Sequence, residues 1–353
     1  MNILHIASIE NDHFSGVSVV VPEHVRAEER LAAVSFINIT NEKIDGIANQ
    51  IEYYRGFSFD GMKIDLAVFH EAYRLEYVFL SAELRKRRIP YIIIPHGELN
   101  REAQRKKWIK KKTANLLLFN HFINRAAAIQ LLSERELLST HHGKIKFIGT
   151  NGINIPQKHK TSFNNDKTRL VYIGRLDAYH KGLDILLEAV RLSQDFLKRK
   201  NCTLDLYGPD HKGSYRKMID MISEKGVSEV VTLHPAVSGE EKERVLLEAD
   251  MFIQTSRFEG MPMGILEALA YGLPCILSEG TTLGDFVSEN LAGFRCSTNA
   301  RDVSCAIESA INSRETLEIL SKNARGAVER EFSWDGVARD TIESYKEILG
   351  RLR

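Results

Sequence analysis

Short apolar runs separated by longer amphipathic stretches recur along the chain, and they form two series. The first comprises NILHIA (2–7), AAVSFIN (32–38), DLAVFH (65–70), PYIIIPH (90–96), AAIQLL (127–132) and KIKFIG (144–149). Helical spacing occupies 17–31, 74–87, 103–125 and 133–140. The second series comprises RLVYIG (169–174), TLDLYG (203–208), EVVTLH (229–234), MFIQTS (251–256) and PCILS (274–278). Between Lys181 and Leu197, the residues Leu183, Leu186, Leu187 and Val190 share one helical face, which predicts a helix packed on a sheet. Apolar strands alternating with helices predict parallel sheets covered on both faces. Between the two series, PQKHKTSFNNDK (156–167) is polar and turn-rich and reads as a linker. The expected organisation is an α/β protein of two Rossmann-like domains facing a central cleft, 1–155 and 168–334.

The chain's 353 residues fit two domains better than one. With 43% hydrophobic and 27% charged residues the composition is that of a water-soluble globular protein. A net charge of +1 gives no bulk attraction for nucleic acid. No apolar run is long enough to span a bilayer. The start, MNILHIAS, lacks a signal peptide's basic region and cleavage site, so a cytoplasmic location is expected. Four cysteines without paired spacing, two of them (Cys202 and Cys275) at the starts of apolar runs, read as thiols.

Candidate chemistry concentrates where the second series turns from strand to helix. The run SRFEGMPMGILEALAYGLP (256–274) places Glu259 in a loop and Glu267 one to two turns into the following helix. In open α/β sheets ligands bind at the carboxyl ends of the strands. Pro262 suits a helix start, and Gly264 lets a ligand approach backbone N–H groups that attract phosphate. Two carboxylates beside such a site suit hydroxyls, as a sugar or ribose offers. In GRLDAYHKG (174–182), Arg175 offers a planar fork and Lys181 a point charge, a pair suited to a diphosphate. A salt-bridged Arg and a helix-flanking Lys are the ordinary alternative for that pair.

The two runs together resemble the retaining glycosyltransferases of family four, which have the GT-B fold and a Glu-x7-Glu signature. The resemblance implies an enzyme that moves a sugar from a nucleoside diphosphate sugar, UDP or GDP expected, to a hydroxyl acceptor. It implies that Arg175 and Lys181 stabilise the leaving diphosphate, that Glu259 contacts the sugar's hydroxyls and that Glu267 holds the ribose. The backbone of Met263 and Gly264 would approach the phosphates. In the first half, Ser15–Gly16–Val17 resembles the family's small-residue loop, with Gly16 near the donor phosphate. His96 resembles the cleft histidine that hydrogen-bonds the transferred sugar. Asn151–Gly152 matches the segment leading to the linker, and Glu134 a position near the cleft. The last helix, 335–353, is expected to cross back to the first domain.

No Asp-x-Asp pair occurs to hold a divalent ion, and no histidine spacing suggests zinc, so no metal or other cofactor is expected. No Gly-x-Gly-x-x-Gly turn supports a nucleotide-dependent oxidoreductase. The stretch REAQRKKWIKKK (101–112), with Arg105, Lys106, Lys107, Trp108, Lys110 and Lys111, suits an anionic membrane surface or a lipid-linked acceptor, and equally a solvated basic face. Bacterial surface-polysaccharide assembly is the implied setting. A catalytically inactive GT-B subunit and a sugar-nucleotide epimerase or phosphorylase are the competing readings.

Overall fold

Most of the strands read as apolar runs, as strands covered on both faces do, while the strand Cys202–Tyr207 (CTLDLY) alternates. In the computed structural model, which describes residues 1–10, 16–99, 118–163, 166–210 and 213–352, these runs build two wholly parallel sheets. The first contains β1 (Asn2–Ala7), β2 (Ala33–Asn38), β3 (Gln50–Ile51), β4 (Leu66–His70), β5 (Tyr91–Ile94), β6 (Ala128–Leu131) and β7 (Lys146–Ile148), in the order β3-β2-β1-β4-β5-β6-β7. The second contains β8 (Thr168–Ile173), β9 (Cys202–Tyr207), β10 (Val231–His234), β11 (Met251–Gln254), β12 (Cys275–Ser278) and β13 (Gly293–Cys296), in the order β10-β9-β8-β11-β12-β13. Both sheets reverse their strand order beside the first strand, between β1 and β4 and between β8 and β11. Such a reversal opens a crevice at the carboxyl ends of the two strands.

The expected strands are all present: β1 has the expected bounds, β8 and β9 are shifted one residue toward the N-terminus, and the rest are trimmed by one or two residues at an end; the two-residue β3 and the edge strand β13 are additions. The helix read from Lys181 to Leu197 is two helices, Leu183–Leu192 and Gln194–Arg199. Leu183, Leu186, Leu187 and Val190 are buried on its sheet-facing side as the spacing predicts.

The chain divides into two compact units, Met1–Gly152 with Trp334–Arg353, and Ile153–Ser333. The segment 156–167 is not a free linker where it is described; its first part is built into the second unit. The Lys160 N–H donates to the Tyr271 carbonyl at 2.8 Å, and its ammonium lies 3.1 Å from the buried Asp250 carboxylate. Arg325 Nη2 donates to the Pro156 carbonyl at 2.8 Å. Polar residues suggested solvent exposure there, but their partners are polar groups of the same unit. The helix Trp334–Leu352 buries Val337, Ala338, Ile342, Tyr345 and Ile348 in the first unit. Cys202 and Cys275 are buried free thiols.

Candidate active site

The second unit's site begins with two strand ends side by side. β8 ends at Ile173 and is followed by Gly174 and Arg175; β11 ends at Gln254 and is followed by Thr255 and Ser256. The loops they feed are bonded to each other. Arg257 makes a two-pronged pair with Asp184, Nη1 to Oδ1 and Nη2 to Oδ2, each at 2.7 Å. Its Nη1 also donates to the Tyr179 carbonyl, and its guanidinium lies 4.4 Å from the Tyr179 ring centroid. His180 packs on Phe258 with centroids 4.2 Å apart. Gly182 caps the helix Leu183–Leu192 at φ +64°, and a Cβ there would lie 1.9 Å from the Thr255 carbonyl oxygen. Only glycine lets the two loops close to this distance.

This clamp brings Lys181 and Glu259 together. Lys181 Nζ lies 2.6 Å from Glu259 Oε1, with side chains 14% and 10% exposed. Ser256 Oγ donates to the same oxygen at 2.7 Å and Gln254 Nε2 at 3.0 Å. All three donors converge on Oε1, so Oε2 keeps its lone pairs outside the cluster. The sequence assigns Lys181 to phosphate and Glu259 to sugar; the structure makes them one ion pair. Gln254 and Ser256 are site residues that the sequence marks only as a strand end, because their role depends on the fold of the loop after them. Arg175 is exposed on the neighbouring loop, and its carbonyl accepts the Tyr172 hydroxyl at 2.8 Å.

Glu267 lies on the helix Met263–Ala270, in the expected second turn, and its Oε2 pairs with Lys242 from the helix Gly239–Glu248. Pro262 is the cap residue preceding that helix, at ψ 96°, and Met263 begins it. Gly264 also has a packing reason. A Cβ there would sit 3.2 Å from the Ile173 carbonyl oxygen, so the missing side chain lets the helix pack on the end of β8.

In the first unit, Gly16 opens the helix Gly16–Glu29. Its φ is not positive, and among the described residues nothing lies within 4 Å of a Cβ built on it. Neither conformation nor packing there demands glycine; Ser15 is outside the described residues. His96 follows β5 in a left-handed turn, φ +46°, with Gly97 next at φ +87°. Its Nε2 lies 3.1 Å from His70 Nδ1, and burial together with His24 holds its pKa down to about 3. His96 is thus a neutral imidazole at neutral pH. Glu134 starts the helix Glu134–Ser139, capped by the Ser133 hydroxyl. Arg105, Lys106, Lys107, Trp108, Lys110 and Lys111 lie outside the described residues. Among the described residues no helix is long and apolar enough to cross a membrane, and no group of three or more His, Cys, Asp or Glu could hold a metal ion.

Two parallel α/β units, each with its crevice at a strand-order reversal, define the GT-B fold. Residues 154–327, nearly all of the second unit, match the family described as Glycosyl transferases group 1. The chain is 26% identical over 231 residues to an uncharacterized glycosyltransferase of Methanocaldococcus jannaschii, covering 61% of this chain and 58% of that protein. It is 27% identical over 191 residues to the MMP alpha-(1->4)-mannosyltransferase of Mycolicibacterium hassiacum, covering 53% and 44%. The match thus spans about half the length of these curated relatives. Among solved structures, Anabaena HepE in complex with UDP superposes with a TM-score of 0.74 over 98% of this chain and 100% of that one, at 15% identity. That likeness concerns the fold.

Proposed function

We propose that the protein is a retaining, metal-independent glycosyltransferase that moves a sugar from a nucleoside diphosphate sugar to a hydroxyl acceptor. The observation that carries this reading is the convergence of Lys181, Ser256 and Gln254 on Glu259 at the β8–β11 reversal, beside Arg175, within the segment that matches the family. In this reading the bond between the sugar's anomeric carbon and the diphosphate oxygen breaks while the acceptor oxygen bonds to that carbon. The acceptor's proton passes to the leaving phosphate. Charge grows on the diphosphate as it departs, and Arg175 and Lys181 supply fixed positive charge for it. Glu259 Oε2, the oxygen left outside the cluster, accepts from a sugar hydroxyl, while the Lys181 pair holds the carboxylate in place. Glu267, anchored by Lys242, accepts from the ribose, and His96 contacts the transferred sugar.

UDP is the first donor nucleotide to test, because a relative in fold binds it, and GDP the second. A lipid-linked or saccharide acceptor in surface-polysaccharide assembly, met through the basic stretch 101–112, completes the proposal. The test is a panel of UDP-, GDP-, ADP- and CDP-sugars in EDTA, recording thermal protection and nucleotide release. Protection by one donor with turnover in EDTA, reduced about 10²- to 10³-fold in Lys181→Ala, supports the reading. Turnover that stops in EDTA and returns with a divalent ion defeats metal independence. Binding without turnover, even with lipid-linked acceptors, points to a subunit that has kept the fold and lost catalysis.

A further inference from the structure

A line of polar side chains runs through the interior of the first unit and ends at His96. Glu28, on the helix Gly16–Glu29, lies with Oε1 2.8 Å from His24 Nε2 and Oε2 3.0 Å from His5 Nε2. His5 Nδ1 is 2.9 Å from His70 Nε2, and His70 Nδ1 is 3.1 Å from His96 Nε2. Glu28, His5 and His70 are wholly buried. The rings step along the sheet as a stack, His5 to His70 with centroids 5.2 Å apart and His70 to His96 at 5.4 Å, tilted by 23° and 20°. β1, β4 and the turn after β5, three adjacent strands, supply the three rings.

We infer that Glu28, His5 and His70 are positioning residues that hold His96 in the tautomer protonated at Nε2 and bare at Nδ1, so that His96 serves as a hydrogen-bond acceptor. The assignment follows from the partners. An ionised carboxylate only accepts, so His5 carries its proton on Nε2. A neutral His5 is then bare at Nδ1 and must accept from His70 Nε2. His70 is in turn bare at Nδ1 and accepts from His96 Nε2, which leaves Nδ1 of His96 without a proton. Each link fixes the next, as a carboxylate fixes the tautomer of a single histidine.

The charge states agree with this order. Burial pushes the Glu28 carboxyl up, but the His5 and His24 rings, through their charge in acid and through the ring N–H groups that Glu28 accepts from, bring it down to about 2, so it is ionised at pH 8. Burial, reinforced by the neighbouring histidines, holds His70 well below the ordinary histidine range, and His96 lies near 3. A second proton on His5 would reverse both histidine–histidine bonds in the line, leaving the bond to Glu28 unchanged, and it would place a cation against the His70 ring, which burial keeps neutral. Tyr345, the other titratable group beside Glu28, keeps its phenol proton and donates it to Gln130 Oε1 at 3.0 Å.

The ligand of Nδ1 rests on the proposed function: a hydroxyl of the transferred sugar. The tautomer itself does not, and this separates the two in experiment. The full chain, labelled with 15N-histidine, is examined at pH 8 by long-range 15N–1H correlation, with His96 assigned through His96→Gln. The expected spectrum shows His96 as a single species with Nε2 protonated and Nδ1 bare. In His70→Phe the His96 signal shifts or splits between tautomers, and kcat falls about tenfold with the donor KM little changed, the loss of one well-aimed hydrogen bond. A wild-type His96 protonated at Nδ1, or present as a mixture, overturns the inference even if His70→Phe does not fold. So does a His70→Phe protein whose His96 keeps the wild-type tautomer. If the tautomer is as stated but His96→Gln transfers sugar at the wild-type rate, the positioning line stands and the role of His96 in transfer falls.

Discussion

At the scale of single residues, Glu259 shows how a carboxylate is held ready. It is 10% exposed and collects three donors on one oxygen, so its charge is balanced by Lys181 and its direction fixed by Ser256 and Gln254. Removing one member of a buried pair leaves the other charge uncompensated. Lys181→Met should therefore lower the stability of the second unit by about 1–3 kcal/mol, and Lys181→Met/Glu259→Gln should recover most of that loss, because the amide still accepts without a charge. Urea unfolding of the two proteins checks this; a double variant no more stable than the single one would show that the pair is not energetically coupled. The first unit offers a test in pH. His70 and His96 stay neutral when folded but take protons near pH 6.5 when unfolded. Stability is thus full above pH 6.5 and declines below it, by up to about 1.4 kcal/mol per pH unit for each histidine. Glu28 acts in the same direction at lower pH: its contribution, on the order of 3 kcal/mol, is present above pH 4.5 and lost as pH falls to about 2. His96→Asn should remove one histidine's share of the slope between pH 6 and 5, read from the urea midpoint followed by the fluorescence of Trp334. An unchanged slope would mean that His96 protonates freely in the folded protein. Arg175, Lys181 and Glu259 could be placed on the loops after strands from the sequence, because the apolar pattern reveals β8 and β11 and each lies two to eight residues past one of their ends; Glu267 could be placed only by the helix that follows. The Glu28–His5–His70 line was not legible: His5 and His70 are 65 residues apart and each hides in an apolar strand.

At the scale of elements, the site depends on the joint between the loops after β8 and β11. Gly182 is the point of closest approach, and its replacement by alanine faces two penalties at once, a left-handed backbone and a Cβ 1.9 Å from the Thr255 oxygen. Gly182→Ala should destabilise the second unit by at least about 2 kcal/mol and lengthen the Lys181–Glu259 separation, so that turnover falls further than stability alone explains. Thermal unfolding and kcat measured on the same preparation decide it; a protein with wild-type Tm and rate would mean that the loops open without cost. The apolar pattern identified the strands well because a doubly covered parallel strand is apolar on both faces. It failed where that signal is weak. β3 has two residues, too few for a pattern, and β13 reads GFRC at a sheet edge, with only one neighbouring strand. The helix expected over 103–125 is described only in its last part, Asn120–Asn124. The polar run 156–167 misled for a different reason: Lys160 satisfies its charge inside the unit, on Asp250, rather than in water.

At the scale of the whole molecule, the chain crosses between its units twice, at Gly152–Ile153 and at Ser333–Trp334. The two crossings lie together. Ile153 N–H donates to the Phe332 carbonyl at 2.7 Å, and a Cβ on Gly152 would meet the Trp334 ring at 2.4 Å. Beyond the second crossing, the last helix belongs to the first unit's core and covers the helix Gly16–Glu29; His24 stacks on Trp334 with centroids 5.8 Å apart. Trp334, Val337, Ile342, Tyr345 and Ile348 are each at most 5% exposed there. At about 1.5–3 kcal/mol for each large apolar side chain, their burial is comparable to the whole stability of an ordinary domain. Deleting 334–353 should therefore unfold the first unit, which is far away in sequence, and spare the second, which ends at Ser333. Limited proteolysis of the truncated protein should degrade residues 1–152 and leave a resistant fragment starting near Ile153. That fragment should still show donor-dependent thermal protection if the nucleotide is held by the second unit. Loss of both units together would mean that the second unit draws its stability from the first, and survival of the first would mean that its sheet is stable without the last helix.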